Sequence, residues 1–168
     1  MKRLDRVARK RSALVVMVAM ICVVIGAASP ASASTVQADL AGVRAATAQF
    51  HDVGNAPGAG YLPLLDCFDT PTAGMGQHFV DTSRLDASLD PLRPESLVYE
   101  VRKSGMKLGA VEYIVPKDVA AQPPTLFGRT FLSNDDLGLW VLHAWIWQPN
   151  PDGMFENFNP NIGACPST

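Results

Sequence analysis

Hydrophobic positions along this chain follow a helical spacing first and an alternating spacing later. The segment STVQADLAGVRAATAQFHDVGNA, which begins at Ser34, has its helix-defining residues at steps of three and four: Val36, Leu40, Val43, Thr47 and Phe50. This spacing predicts one amphipathic helix. The next segment, GYLPLLDCFDTPTAGMG, is rich in proline and glycine and predicts a loop.

The rest of the chain is typical of β-structure. Four runs are rich in β-branched and aromatic residues and are bounded by turn formers: Gly76–Asp81, Ser96–Arg102, Lys107–Val115 and Leu139–Trp147. A shorter run, Leu126–Leu132, is expected to pair with the last of these through the turn SNDDLG. The link KSG between the second and third runs is short enough for a hairpin.

One helix followed by strands predicts an α+β fold. The strands can bury an apolar face only if the helix packs across the sheet. We therefore expect an N-terminal helix on a mostly antiparallel sheet of four to five strands, in a cystatin-like or roll arrangement. An all-β sandwich with a peripheral helix is the alternative.

The N-terminus has the three-part order of a secretory signal peptide. A basic block, KRLDRVARKR, precedes the apolar run ALVVMVAMICVVIGAA and the small-residue stretch SPASAS. We expect residues 1–33 to be the signal peptide and residues 34–168 to form a single secreted domain. The alternative is an uncleaved anchor, although the apolar run is shorter than the roughly 20 residues of a membrane span. After cleavage, no stable membrane insertion is expected.

Charge and cysteine content limit which partners and which cellular compartment are expected. Without the first 33 residues, the chain keeps eight basic and fifteen acidic residues, a net charge of −7. An acidic domain gains nothing from releasing counterions from a polyanion, so nucleic acid is not an expected partner. Cys67 and Cys165 remain as an even pair in an exported protein, which predicts a disulfide.

Three polar residues interrupt otherwise apolar strand faces. His143 lies between Val141 and Trp145 in the alternation of the last strand, and Glu112 is the only charge on its face of the third strand. His78 occupies a similar position in the first strand. Buried polar groups need a partner or a metal. If the strands lie side by side, these residues could converge as a zinc or iron site; the alternative is a structural hydrogen bond between Glu112 and a histidine.

Two tryptophans in the last strand suggest a different kind of site. Alternation places Trp145 and Trp147 on the face of His143, where a pair of indoles could stack on a carbohydrate or a hydrophobic ligand. The alternative is that both rings belong to the core.

Local catalytic motifs are missing from the sequence. The chain has no G-x-S-x-G, P-loop, C-x-x-C or H-E-x-x-H motif. We therefore expect a binding or cell-envelope protein rather than an enzyme, with a small ligand or an envelope component as its partner. The alternative function is a metal-dependent site formed by His78, Glu112 and His143.

Five blocks carry a resemblance to a known family. GMGQHFVD, PESLVYE, AVEYIVP, LFGRTF and LHAWIWQPNPDGMFENFNP, behind an N-terminal helix and an exported leader, resemble a family of small secreted bacterial proteins of uncharacterised function. The resemblance covers nearly all of the chain after the leader and implies no activity. His78, Glu112 and His143 fall inside its blocks, which ranks them above the other polar residues.

Overall fold

The computed structural model describes residues 30–166. Helix α1 spans Pro30–Thr47 and continues into a 3₁₀ turn at Ala48–His51, and a single-turn helix α2 follows at Asn55–Gly58. The predicted helix is confirmed, because Leu40, Val43 and Phe50 are buried in the core. Residues 1–29 of the predicted signal peptide lie outside the described residues. Within residues 30–166, no helix is long and apolar enough to cross a membrane.

Six strands form one antiparallel sheet in the order β1-β2-β3-β4-β8-β7. A separate two-stranded hairpin consists of β5 and β6. The strand bounds are β1 Leu62–Asp69, β2 Gly74–Val80, β3 Ser96–Arg102, β4 Gly105–Pro116, β5 Thr125–Leu126, β6 Arg129–Thr130, β7 Leu132–Asn134 and β8 Leu139–Ala144.

Three predicted boundaries are wrong. The expected loop around Cys67 contains strand β1, which pairs along the edge of the sheet with β2. The expected strand Leu126–Leu132 is the β5–β6 hairpin, since Phe127 and Gly128 both have positive φ and turn the chain back. The predicted turn SNDDLG does join β7 to β8, but β8 ends at Ala144 rather than at Trp147.

The helix covers one face of the sheet. Leu40, Val43 and Phe50 pack in one core cluster with alternate residues of the central strands: Leu97, Tyr99, Val111, Tyr113, Leu142 and Ala144. The Tyr99 hydroxyl donates a hydrogen bond of 2.8 Å to the Phe50 carbonyl and joins the two layers. The α+β prediction is confirmed and the all-β sandwich is wrong. The sheet has six strands instead of four to five, and the cystatin-like or roll arrangement stays a prediction.

The predicted disulfide is present. Cys67 of β1 and Cys165 near the C-terminus are bonded, with their Cα atoms 5.8 Å apart and a sequence separation of 98. The backbone N–H of Cys165 also donates to the Asp69 carboxylate at 2.8 Å. The C-terminal segment is therefore fastened to the edge strand of the sheet.

Candidate functional site

The sheet face opposite the helix brings together the three polar residues predicted from the sequence. His78 is on β2, Glu112 on β4 and His143 on β8, and Glu112 and His143 are directly paired. Neighbouring strands lie about 4.7–4.9 Å apart, so a flat sheet would separate β2 from β8 by about 14 Å. The two histidine rings nevertheless have centroids only 5.7 Å apart. The sheet is therefore curled, with these residues on its inner face.

The side chains of the three residues meet in a triangle of groups, two imidazoles and one carboxylate, in which each imidazole nitrogen is nearest to a different carboxylate oxygen. His78 Nε2 lies 3.4 Å from His143 Nε2 and 3.4 Å from Glu112 Oε2. His143 Nε2 lies 3.5 Å from Glu112 Oε1. The predicted convergence of the three residues is confirmed as geometry, and their potential ligand atoms all lie within 4.8 Å of one another.

These separations are too long for strong hydrogen bonds and suit ligands of a common ion. A charge-assisted bond between nitrogen and carboxylate oxygen is about 2.7–2.9 Å long. A tetrahedral ion with bonds of about 2.0–2.1 Å holds its ligand atoms about 3.3–3.4 Å apart. An octahedral ion with bonds of about 2.1 Å holds neighbouring ligands about 3.0 Å apart. The 3.4 Å between the two imidazole nitrogens therefore fits two corners of a tetrahedron best, and the Glu112 carboxylate lies beside both nitrogens with one oxygen near each.

Burial keeps all three groups electrically neutral near pH 7. His78, Glu112 and His143 are 7%, 5% and 1% exposed. Burial lowers the pKa of His78 to about 4, and burial together with the charge of His78 lowers the pKa of His143 to about 3. Burial, with a smaller effect of Glu95, raises the pKa of Glu112 to about 8. The contacts between them therefore join neutral groups and are not ion pairs, and both imidazoles keep a lone pair for a cation.

Unpartnered polar atoms surround the triangle. In the described part of the chain, three buried side-chain atoms lack a hydrogen bond: Ser96 Oγ, His143 Nδ1 and Asn157 Oδ1. Ser96 is the β3 partner of Glu112. Asn157 acts on His143, because its side chain raises the pKa of that imidazole against the larger effect of burial, although the two atoms fall short of hydrogen-bond geometry. A small approach would let Nδ1–H donate to Asn157 and would leave Nε2 as the lone-pair atom.

A cavity of about 680 Å³ opens above the triangle. Its walls come from β1, β2, β4 and β8, the β7–β8 turn and the C-terminal loop. Most of the lining is apolar, and the residues that contribute hydrophobic surface include Leu64, Leu65, Phe68, Val80, Ile114, Leu139 and Val141. The volume is within the range of small-molecule sites. The triangle therefore lies in the lining of a cavity large enough for a small molecule.

The expectation that Trp145 and Trp147 share a face is wrong. Trp145 is 2% exposed, stacks beside the His143 ring and donates from Nε1 to the Glu156 carbonyl. Trp147 lies on the helix side, where its indole contacts His51 and donates to Thr47. The two rings separate because β8 ends at Ala144 and the chain turns. No contact between them supports a shared stacking platform for carbohydrate.

Several residues of the site were not predicted from the sequence. Asn157 lies in a loop that carries many polar residues, and nothing in its spacing distinguishes it. Leu64 and Leu65 are in the segment predicted to be a loop. Ser96 could have been found, because it opens a buried strand as a hydroxyl directly before the apolar residues Leu97 and Val98.

A comparison of the chain with protein-family models, with curated proteins and with solved structures found no match. The resemblance to a family of small secreted bacterial proteins therefore stays a prediction. The geometry of His78, Glu112 and His143 is the evidence on which a function can be argued.

Proposed function

We propose that this protein is an exported metal-binding protein in which His78, Glu112 and His143 hold a zinc-like divalent ion and leave one coordination position open to the cavity. The observation that carries the proposal is the triangle of groups: the two imidazole nitrogens lie 3.4 Å apart, and each lies 3.4–3.5 Å from one oxygen of the Glu112 carboxylate. Two imidazoles and one carboxylate are an established ligand set for zinc sites that keep a fourth position open.

The absence of good internal hydrogen bonds supports a metal over a purely structural cluster. A structural Glu112–histidine pair would close to hydrogen-bond length, because buried polar groups gain from short contacts. Here the nearest atoms of the three groups stop 3.4–3.5 Å apart. A cation there would satisfy all three at once. Iron in a two-histidine, one-carboxylate site is the second metal candidate, but its octahedral preference suits the spacing less well.

The cavity favours binding over hydrolysis. A hydrolytic metal site needs an acid or base that can move a proton to or from the bound water. Apart from Glu112, the carboxylates that line the described part of the cavity are Asp135 and Asp136, both exposed in the β7–β8 turn. Asp135 is also paired with Lys117. The open metal position therefore serves to bind a ligand in this proposal.

The disulfide supports a location outside the cytosol. Disulfides persist in oxidising environments outside the cytosol, and Cys67–Cys165 agrees with the leader predicted for residues 1–33. We propose that the domain is secreted and acts at or beyond the cell envelope.

Metal analysis of the untagged protein, purified without chelator and reloaded with Zn²⁺, tests the proposal. We expect close to one zinc ion per chain in the wild type and loss of that ion in His143→Ala. The third histidine of the chain, His51, is exposed and outside the site, so His51→Ala is the matched control and should keep its zinc. Equal zinc content in all three proteins, or none in the wild type, would contradict the proposal.

Cobalt substitution tests the coordination geometry. Co²⁺ in a tetrahedral site absorbs visible light far more strongly than Co²⁺ in an octahedral site. We expect the strong tetrahedral spectrum in wild type and in His51→Ala, and its loss in His143→Ala. A weak octahedral spectrum with stoichiometric metal would favour the iron-type alternative.

A further inference from the structure

We propose that the cavity binds an aliphatic monocarboxylate, with its carboxylate on the open metal position and its chain along the apolar walls. This inference rests on the proposed metal site and adds the chemical class of its ligand. It depends on three features of the cavity. These are its apolar walls, a strand irregularity that builds one of those walls, and the distribution of charge between the floor, which is formed by the buried triangle, and the mouth, where the exposed β7–β8 turn lies.

The walls present aliphatic side chains that folding alone leaves in contact with water. Leu64 and Leu65 of β1 are 42% and 50% exposed, and Phe68 on the same strand is 46% exposed. All three line the cavity together with Ile114 and Val141. Apolar surface gains roughly 25 cal/mol for each Å² removed from water. A hydrocarbon chain in the cavity would bury these side chains, which the protein core does not do.

An irregularity in β1 places two consecutive leucines on the same wall. Neighbouring residues of a regular strand point to opposite faces. The β1–β2 register shifts between Leu64 and Phe68, and Leu65 has a φ of 62°. The side-chain amide of Gln77 donates to the Leu65 carbonyl at 2.7 Å and holds this conformation. A leucine in the left-handed region is uncommon. Its effect here is that both Leu64 and Leu65 contribute to the lining.

Charge is arranged to receive one anion at the floor. A divalent ion that displaces the Glu112 proton is held by one carboxylate and two neutral imidazoles, and the site then has a net charge of +1. The described residues that line the cavity include no lysine or arginine, so the metal is the positive charge that an anion would meet inside. Asp135 and Asp136 lie at the exposed β7–β8 turn of the lining. A ligand with a second carboxylate at its far end would place it near these acids.

Calorimetric titration with decanoate tests the ligand class on the zinc-loaded protein. The matched ligands are 1-decanol, which has the chain without the carboxylate, and acetate, which has the carboxylate without the chain. We expect decanoate to bind at least tenfold more tightly than either. Chelation of the metal should weaken decanoate binding to the level of decanol, and sebacate, with a carboxylate at each end, should bind less tightly than decanoate.

A pair of variants on the same strand tests the apolar wall. Leu64→Asp places a charge in the lining and should weaken decanoate binding at least tenfold. Leu62→Asp is the control, since Leu62 is 57% exposed on β1 and does not line the cavity, and it should bind decanoate as the wild type does. Both positions are exposed, so both variants should fold and keep their zinc.

The outcomes separate this inference from the metal proposal. Two results would overturn the ligand class and leave the metal site supported. In both, the protein holds stoichiometric zinc, but decanoate binding either does not change when the metal is removed or is weakened equally by both leucine variants. A wild-type protein that holds no zinc would overturn both.

Discussion

Glu112 and His143 face each other across the β4–β8 ladder, and Glu112 Oε1 lies 3.5 Å from His143 Nε2. Directly paired strand residues have neighbouring side chains, so the sheet itself fixes this approach. His78 completes the triangle from two strands beyond β4, because the sheet curls. The site is therefore built on rigid strands, which hold ligands more accurately than loops do.

Replacing the Glu112 carboxyl group by an amide should weaken the metal site without unfolding the protein. Glu112→Gln keeps the size of the side chain but cannot give up a proton to become an anionic ligand, so we expect zinc affinity to fall at least tenfold, the least that loss of an outer-shell partner of a metal ligand usually costs. Isothermal titration with Zn²⁺ measures the change, and circular dichroism checks the fold. Glu156→Gln is the control, since Glu156 is exposed outside the cavity lining. Unchanged affinity in Glu112→Gln would argue against ligation by the carboxylate.

Glu95 should make the free energy of unfolding fall as pH rises. Burial raises its pKa to about 7 from an ordinary 4.5, although the N–H of Ile114 and the charge of Arg84 oppose this shift. A raised acid pKa means that the folded state holds the proton more tightly than the unfolded state. The stabilising contribution is therefore complete below about pH 4.5 and is lost as pH rises through about 7.

Glu95→Gln isolates this effect, because the amide oxygen can still accept the hydrogen bond from the Ile114 N–H. We expect the unfolding free energy of the variant, relative to the wild type, to rise by up to about 3 kcal/mol between pH 4.5 and pH 8. Urea denaturation at several pH values measures the difference between the two proteins in metal-free buffer. A difference that does not change with pH would show that Glu95 titrates normally.

The site was predictable because its residues break a strong pattern. In strands with alternating apolar positions, a buried histidine or carboxylate must find a partner, and this penalty directed attention to His78, Glu112 and His143. No comparable penalty indicates from the sequence where the side chains of Trp145 and Trp147 lie. The backbone N–H of Trp145 donates to the Met154 carbonyl in the C-terminal loop, and the next N–H, of Ile146, donates back to Ala144. The N–H groups of Trp147 and Gln148 then both donate to one β4 carbonyl, that of Gly109, so the regular ladder with β4 is broken. These contacts end β8 early, and alternation no longer applies.

Strand β1 could not be found from the sequence for a different reason. Seven of its eight residues are exposed, so it shows no alternation of buried and exposed positions. It also contains Pro63, which disfavours a central strand but is tolerated at a sheet edge. Its pairing with β2 and the bond from Cys67 to the C-terminus hold it in place. These long-range contacts have no local signal.

Breaking the disulfide should destabilise the protein considerably. Cys67 and Cys165 are 98 positions apart in sequence, and the chain-entropy model assigns such a loop about 4–5 kcal/mol. We expect the double variant Cys67→Ser, Cys165→Ser to lose stability of this order in urea denaturation, and reduced wild type to behave like the variant. Reductant should leave the variant itself unchanged, which is the control. Equal stability with and without the bond would mean that the C-terminal segment is held by its other contacts.

Gly76 should tolerate substitution much less well than Gly105, although both have positive φ. Gly76 has a φ of 103°, and a Cβ there would collide with the Tyr99 carbonyl oxygen of the neighbouring strand. Gly105 has a φ of 119°, and a Cβ would meet no atom within 4 Å. Gly105→Ala therefore carries backbone strain alone, on the order of 1–2 kcal/mol, and Gly76→Ala adds a clash inside the β2–β3 ladder. Thermal unfolding of the two variants measures this difference. Similar melting temperatures would show that β2 can shift to relieve the contact. Because His78 is two residues from Gly76, such a shift should weaken zinc binding in Gly76→Ala and leave it unchanged in Gly105→Ala.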